Sequence, residues 1–112
     1  MPSDRRHQRI QQFIQRTLGE IIQEEIYRAD MLITITKVET SVDLQWADVS
    51  VSIFPYAKHE EMLALLKRKA GHFQTILNRA LRIKHTPKIR FVLDFTLEAG
   101  IADGEEDDVM GQ

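Results

Sequence analysis

The chain has 112 residues, 43% of them hydrophobic and 29% charged, which is typical of one globular domain and too short for two. It contains no cysteine, which excludes disulfide bonds, thiolate metal sites and a thiol nucleophile. The longest strictly apolar run, residues 62–66, is too short to cross a bilayer, and the first residues lack the apolar core of a secretory signal. We therefore expect a soluble cytoplasmic protein with no membrane partner.

Charge is distributed very unevenly along the chain, although the net charge is only −2. Residues 1–28 sum to +1 and residues 29–57 to −3, whereas residues 58–90 sum to +7 and residues 91–112 to −7. A block with nine basic residues against two acidic ones favours a polyanionic partner, because phosphates attract such a surface. The near-neutral total is therefore no argument against a nucleic-acid partner.

The first predicted element is a helix over residues 5–27, where apolar residues recur at intervals of three and four. At about 100° per residue, Arg5, Arg9 and Arg16 fall within about 40° of one another, opposite the apolar stripe. We therefore expect this helix to bury one face and to present an arginine face.

Five more elements follow from the apolar spacing. They are strands over residues 32–39, 46–53 and 88–95 and helices over residues 59–69 and 73–83. The second strand alternates cleanly, with Ala47 and Val49 on the packed face and Asp48 on the other. The last residues are too acidic and too poor in apolar side chains to fold alone. We expect one folded domain over residues 1–97 and a disordered acidic tail over residues 98–112.

The sequence contains no catalytic constellation. His59-Glu60-Glu61 begins like a zinc-protease helix, but no second histidine stands four residues after the first. The acidic residues 103–108 lack the ligand spacing of a calcium loop, and no glycine-rich phosphate loop with its lysine is present. We expect a protein that is not an enzyme and that has no metal, no cofactor and no small-molecule substrate.

The junction between the two shorter helices is the strongest candidate for a binding site. Residues 67–72, Lys-Arg-Lys-Ala-Gly-His, place three cations and a glycine where the helices meet. Because glycine has no Cβ, it permits a sharp turn and a close approach of a ligand. The start of the following helix suits a phosphate. A nucleic-acid-binding face is one interpretation, and a solvated helix face with an ordinary glycine break is the other.

Five stretches occur in an order and spacing that point to a known family. They are Arg-Ile-Gln-Gln-Phe-Ile at residues 9–14, Leu-Gly-Glu-Ile-Ile at 18–22, Val-Glu-Thr-Ser-Val-Asp-Leu-Gln-Trp-Ala-Asp-Val-Ser-Val-Ser at 38–52, Ala-Gly through Leu-Asn-Arg-Ala-Leu-Arg at 70–82 and Thr-Pro-Lys-Ile-Arg-Phe at 86–91. Over residues 5–97 the chain resembles bacterial ribosome-binding factor A. The resemblance implies an α+β fold, a two-layer type II KH-like domain in the order helix-strand-strand-helix-helix-strand. Its sheet would be three-stranded and mixed, with the helices on one face.

The resemblance also implies a function in ribosome biogenesis without catalysis. Such proteins bind free small ribosomal subunits through their ribosomal RNA and assist late assembly, including processing of that RNA. In KH domains the glycine-containing turn between two helices contacts the nucleic-acid backbone. The candidate RNA-binding residues are Arg5, Arg9, Lys67, Arg68, Lys69, Ala70, Gly71, His72, Arg79, Arg82, Lys84, Lys88 and Arg90.

Lys69 departs from the family pattern at the kink between these helices. The family pattern Ala-x-Gly falls here on Lys69-Ala70-Gly71, so Gly71 matches the kink glycine and Lys69 replaces the alanine. Lys69 follows Met62 by seven residues, and a straight helix would place it on the apolar face. Either the helix bends before Lys69, or its stem packs while its ammonium reaches outward.

A second function class stays open alongside the ribosomal one. It is a protein-binding α+β module whose basic face docks an acidic partner. Binding to purified small subunits at several salt concentrations separates the two, because phosphate contacts weaken steeply with salt. Nothing in the sequence calls for an oligomer, so we expect a monomer.

Overall fold

The computed structural model describes residues 2–95, with side chains from residue 5 onward. Its elements, in chain order, are α1 Pro2–Ile26, β1 Leu32–Thr40, β2 Trp46–Phe54, α2 His59–Arg68, α3 Ala70–Leu81 and β3 Lys88–Leu93. One turn of 3-10 helix, Tyr56–Lys58, leads into α2. The predicted α+β class and element order are confirmed. The predicted acidic tail, residues 98–112, lies outside the described residues.

α1 forms because its apolar residues share one face of a helix, and that face is buried. Ile14 and Leu18 are fully buried, whereas Arg5, Arg9 and Arg16 on the opposite face are exposed. The helix packs along β1 and against α3. No helix within the described part of the chain is long and apolar enough to cross a membrane.

The sheet has the order β1-β2-β3, with β2 antiparallel to β1 and parallel to β3. A parallel pair requires a crossover connection, and α2 and α3 supply it. The residues of β2 that face the helices are almost completely buried, and they are Ala47, Val49, Val51 and Ile53. The predicted alternation of this strand is confirmed. β3 forms one edge of the sheet and lies beside α2 and α3.

The boundary between α2 and α3 differs from the prediction, in which Gly71 bends the chain and the next helix starts at residue 73. α3 begins at Ala70, and Gly71 lies in its first turn without a positive φ. The chain turns at Lys69, where φ is −91° and ψ is 3°. This bridge conformation is accessible to residues with a Cβ, so the turn does not need glycine. The predicted role of Gly71 as the residue that bends the chain is therefore wrong.

The core extends underneath this turn and holds both helices. Met62 and Leu66 of α2 and Phe73 and Leu77 of α3 are at most 1% exposed. The Phe73 ring meets the Phe91 ring of β3 edge-on, with 6.0 Å between the ring centroids. Because both sides of the turn are anchored in one core, their relative direction is fixed by packing.

Candidate nucleic-acid interface

The last turn of α2 presents two exposed cations, Lys67 and Arg68, directly before the chain turns. Backbone hydrogen bonds continue through the turn: the Lys69 N–H donates to Leu65 O and the Phe73 N–H donates to Lys69 O, each at 3.0 Å. The positive end of the α3 dipole lies at the same place. Exposed cations and a helix N-terminus therefore converge, an arrangement that suits a phosphate.

Two of the predicted RNA-binding cations already contact Glu25, near the end of α1. Lys69 Nζ lies 3.6 Å from Glu25 Oε1, and His72 Nε2 lies 3.0 Å from both carboxylate oxygens. Since a carboxylate only accepts hydrogen bonds, His72 Nε2 is the donor. The hydrogen bond from His72, together with the charges of His72 and Lys69, outweighs desolvation and lowers the pKa of Glu25. α2 ends before Lys69, as one of the two predicted alternatives has it, and the Lys69 side chain, 35% exposed, reaches an ion pair with Glu25.

We expect the Glu25 cluster to make folding stability depend on pH in the acidic range. A carboxyl whose pKa is lower in the folded chain stabilises the fold above its unfolded pKa, and this contribution is lost as the pH falls through the folded pKa. Thermal melts from neutral to acidic pH should therefore show a smaller loss of Tm for Glu25→Gln than for the parent chain. Glu24→Gln, a change at an exposed neighbour in α1, is the control and should follow the parent. Identical pH profiles for Glu25→Gln and the parent would contradict the assignment.

A groove between the junction and β3 brings three predicted residues together. Lys67, Ala70 and Arg90 line this hollow, which has a volume of about 470 Å³. Arg90 Nε donates to Asp48 Oδ1 at 2.8 Å, and its guanidinium lies 4.5 Å from the centre of the Trp46 ring. Arg90 is thus held in a fixed direction at the edge of the sheet. The groove combines cations with the unpaired backbone edge of an outer strand.

Four other predicted cations gather around the opposite end of α3. Arg79 lies in its last turn, Arg82 follows with a φ of 55°, and Lys84 and Lys88 flank the loop to β3. All four are exposed. Within residues 2–95 none of them forms an ion pair, so their charge is not neutralised by a described carboxylate. Lys84 and Lys88 also line a second hollow of about 640 Å³.

Arg5 and Arg9 lie at the end of α1 that is remote from Glu25. A rise of 1.5 Å per residue places them about 24–30 Å from the junction along the helix axis. This end of α1 contacts the β1–β2 hairpin, where Gln11 Oε1 accepts a hydrogen bond from the Thr40 N–H at 3.0 Å. The same hairpin lines the second hollow. The predicted residues therefore do not form a single patch: one group lies at the junction and groove, a second lies at the α3–β3 end, and Arg5 and Arg9 lie apart from the junction on α1.

Three residues of these sites were missed by sequence reasoning: Glu25, Asp48 and Trp46. The two carboxylates bond to partners 47 and 42 residues away, a separation that no local pattern reveals. Trp46 could have been recognised as a candidate binding residue, because a large aromatic residue stands at the start of a strand beside polar residues. Among residues 2–95 no group of three metal-binding side chains is close enough to hold a metal ion.

Gly71 is exposed, and a Cβ added to it would meet no atom within 4 Å. Since alanine is favoured over glycine in a helix by roughly 0.5–1 kcal/mol, we expect Gly71→Ala to maintain or raise the Tm. A methyl group at this surface would hold an RNA backbone away, so the same variant should co-sediment less with small subunits. Gly19→Ala in α1, which also has nothing within 4 Å, is the matched control for helix propensity and should leave binding unchanged. A lower Tm for Gly71→Ala would show that the glycine is required structurally.

The chain matches one protein family over most of its length. The family whose model is described as "Ribosome-binding factor A" covers residues 6–102. The chain belongs to the ribosome-binding factor A family. The family that the five sequence stretches predict is thereby confirmed.

Known members of the ribosome-binding factor A family share both sequence and fold with this chain. Ribosome-binding factor A of Syntrophomonas wolfei is 35% identical over 103 residues, covering 88% of this chain and 84% of the relative. The crystal structure of ribosome-binding factor A from Thermus thermophilus has a TM-score of 0.68 at 25% identity and covers 78% of this chain and 93% of its own. Coordinates of the Thermus thermophilus factor fitted into a cryo-EM map of a 30S–RbfA complex have a TM-score of 0.62 at 26% identity. The match covers 73% of this chain and 88% of the fitted chain.

Proposed function

We propose that this chain is a monomeric, cytoplasmic maturation factor that binds the free small ribosomal subunit through its ribosomal RNA. It assists late subunit assembly and processing of that RNA, and it does so without catalysing a reaction. Family membership supports the proposal, as does the 30S–RbfA complex into which a relative's coordinates have been fitted. The observation that carries it is a set of exposed cations that form no ion pair with a carboxylate of the described residues.

Within the basic segment 58–90, these cations differ from Lys58, Lys69 and Arg90 in having no ion pair among the described residues. They are Lys67, Arg68, Arg79, Arg82, Lys84 and Lys88. By contrast, Arg28 pairs with Asp30 and Glu61, and Lys58 pairs with Asp30. Unpaired cations clustered at both ends of α3 create a positive potential that attracts and orients a polyanion. Such a surface supports binding to RNA phosphates.

The spacing of the two cation groups supports recognition of RNA shape. α3 has 12 residues and is therefore about 18 Å long, and the two groups lie at its opposite ends. One group can contact one segment of RNA backbone while the other contacts a second segment. Phosphate contacts position a protein on RNA without reading its sequence. The chain would therefore bind where folded ribosomal RNA holds two backbone segments at this separation.

Co-sedimentation of the full chain with purified small subunits over a series of salt concentrations tests the proposal. We expect the logarithm of the association constant to fall linearly with the logarithm of the salt concentration. The slope should be about −0.7 to −0.9 for each phosphate contacted. Ultraviolet crosslinking of the bound chain should give adducts on ribosomal RNA. Binding that does not respond to salt, with crosslinks only to ribosomal proteins, would contradict this function and favour a module that docks an acidic protein.

A further inference from the structure

The hollow of about 640 Å³ lies at the end of the sheet where the paired strands β2 and β3 both begin. Its walls come from the β1–β2 hairpin, from α3 and from the loop that leads to β3. We refer to it as the Trp46 hollow, after its aromatic residue, and Asn78, Lys84 and Lys88 also line it. Its volume falls within the range of roughly 300–1,000 Å³ that is typical of small-ligand sites. It is separate from the groove along β3.

Trp46 supplies a flat apolar surface whose orientation is fixed. The side chain is 40% exposed. The Arg90 guanidinium covers one face of the indole at 4.5 Å, and Asp48 holds that guanidinium through the 2.8 Å hydrogen bond. None of the aromatic rings within residues 2–95 stacks on the other face. A nucleobase stacks on such a face irrespective of its identity, because every base has a π-face.

The α3 side of the hollow carries two amide side chains, Gln74 and Asn78. The Gln74 amide donates to Pro87 O at 3.0 Å and to Asn78 Oδ1 at 3.1 Å, and its oxygen accepts from the Ile89 N–H at 3.0 Å. These bonds fix the loop between α3 and β3. They also occupy the Asn78 oxygen, whereas the Asn78 amide nitrogen forms no hydrogen bond with the described residues. Amide donors of this kind recognise the edges of unpaired bases.

Positive charge completes the site. Of the ten described residues that line the hollow, none is acidic, and two are Lys84 and Lys88. Neither lysine forms an ion pair in the described part of the chain. This distinguishes the hollow from the junction, where Lys69 and His72 are already bonded to Glu25. A phosphate that enters the hollow meets no competing carboxylate on its walls.

We propose that the Trp46 hollow binds a single unpaired nucleotide of RNA. The base stacks on the open face of Trp46, the Asn78 amide donates to the base edge, and Lys84 and Lys88 hold the adjoining phosphate. The inference rests on the proposed function, because the RNA in question is that of the small subunit. It adds a contact with a base that is extruded from the RNA fold, beyond the backbone contacts described above.

Trp46 is the single tryptophan of the chain, so its fluorescence reports directly on this hollow. We expect single-stranded pentauridylate at low salt to quench the fluorescence of the full chain. A pentamer of abasic ribose phosphates, which carries the same charge, should bind without quenching, with binding measured by anisotropy of an end label. Equal quenching by both oligomers, binding of pentauridylate without quenching, or no binding of pentauridylate would each overturn the proposal.

Substitutions provide a second and independent measurement. Trp46→Ala should weaken binding of labelled pentauridylate by about 10-fold or more, since stacking on an aromatic ring contributes that much per base. Trp46→Phe should retain most of the affinity because it keeps a ring. Phe54→Ala, at the exposed opposite end of β2, is the matched control and should bind like the parent chain. An equal loss for Trp46→Phe and Trp46→Ala would contradict stacking.

The result for the hollow and the result for the proposed function can be told apart. Salt-dependent binding to subunits with crosslinks to ribosomal RNA, together with unchanged Trp46 fluorescence on pentauridylate binding, would overturn the hollow and leave the proposed function standing. Quenching by pentauridylate without any binding to small subunits would support the hollow as an RNA site and overturn the ribosomal function.

Discussion

Replacing Lys67, Arg68 and Arg82 together by glutamate is expected to weaken binding to purified small subunits by about 100-fold or more. A hydrogen bond to a charged group contributes about 1.5–3 kcal/mol, and a tenfold change in affinity corresponds to about 1.4 kcal/mol. The three reversed charges also repel the phosphates that remain nearby. Co-sedimentation over a salt series should show, in addition, a slope of log affinity against log salt that is smaller by about two to three.

The matched control reverses three exposed cations elsewhere, Arg16, Arg28 and Lys37, and therefore changes the net charge by the same amount. This control should retain most of the affinity, and the Tm of both variants shows whether they are folded. An equal loss in the two variants would mean that total charge decides binding and the positions of Lys67, Arg68 and Arg82 do not. Full binding by the first variant would show that the proposed RNA face is wrong.

Phe73→Ala is expected to cause the largest loss of stability, about 3–5 kcal/mol in the free energy of unfolding. The ring is fully buried beneath the turn at Lys69 and packs edge-on against Phe91. Its removal leaves a cavity in the core between α2, α3 and the sheet. Since small domains are stable by only about 5–15 kcal/mol, urea unfolding should show a much lower midpoint, and the Tm should fall by more than about 12 °C.

Phe54→Ala is the control for this prediction, because it removes the same ring from a site that is 65% exposed. Its effect on the free energy of unfolding should stay within about 0.5 kcal/mol. A loss below about 1 kcal/mol for Phe73→Ala would mean that the surrounding core collapses into the space. The inference that Phe73 anchors the turn would then be wrong.

The regular elements were largely predictable because each depends on a periodic pattern in its own residues. α1 was expected over residues 5–27 and runs over Pro2–Ile26, and β2 was expected over residues 46–53 and runs over Trp46–Phe54. Burying one face requires an apolar residue at every turn of a helix and at every second residue of a strand. The pattern therefore specifies the type of element, while its ends shift by up to three residues according to local hydrogen bonding.

The helix junction shows where local reasoning fails. Glycine marks a place where the chain is free to turn, but it does not require a turn there. Ala70 and Gly71 form the first turn of α3, the helix whose residues Phe73 and Leu77 are buried in the core. Lys69 then makes the turn in a conformation that is open to any residue with a Cβ.

The sequence by itself determined the kind of surface this protein has: a basic segment over residues 58–90 and an arginine face on α1. Only the tertiary structure decided which cations are free. Lys69 and His72 meet Glu25, and Arg90 meets Asp48, while Lys84 and Lys88 have no ion pair among residues 2–95 and border the Trp46 hollow. The physical reason is that an ion pair depends on the distance between two side chains. For residues more than 40 apart in the chain, the packing of α1 on α3 and of β2 beside β3 sets that distance.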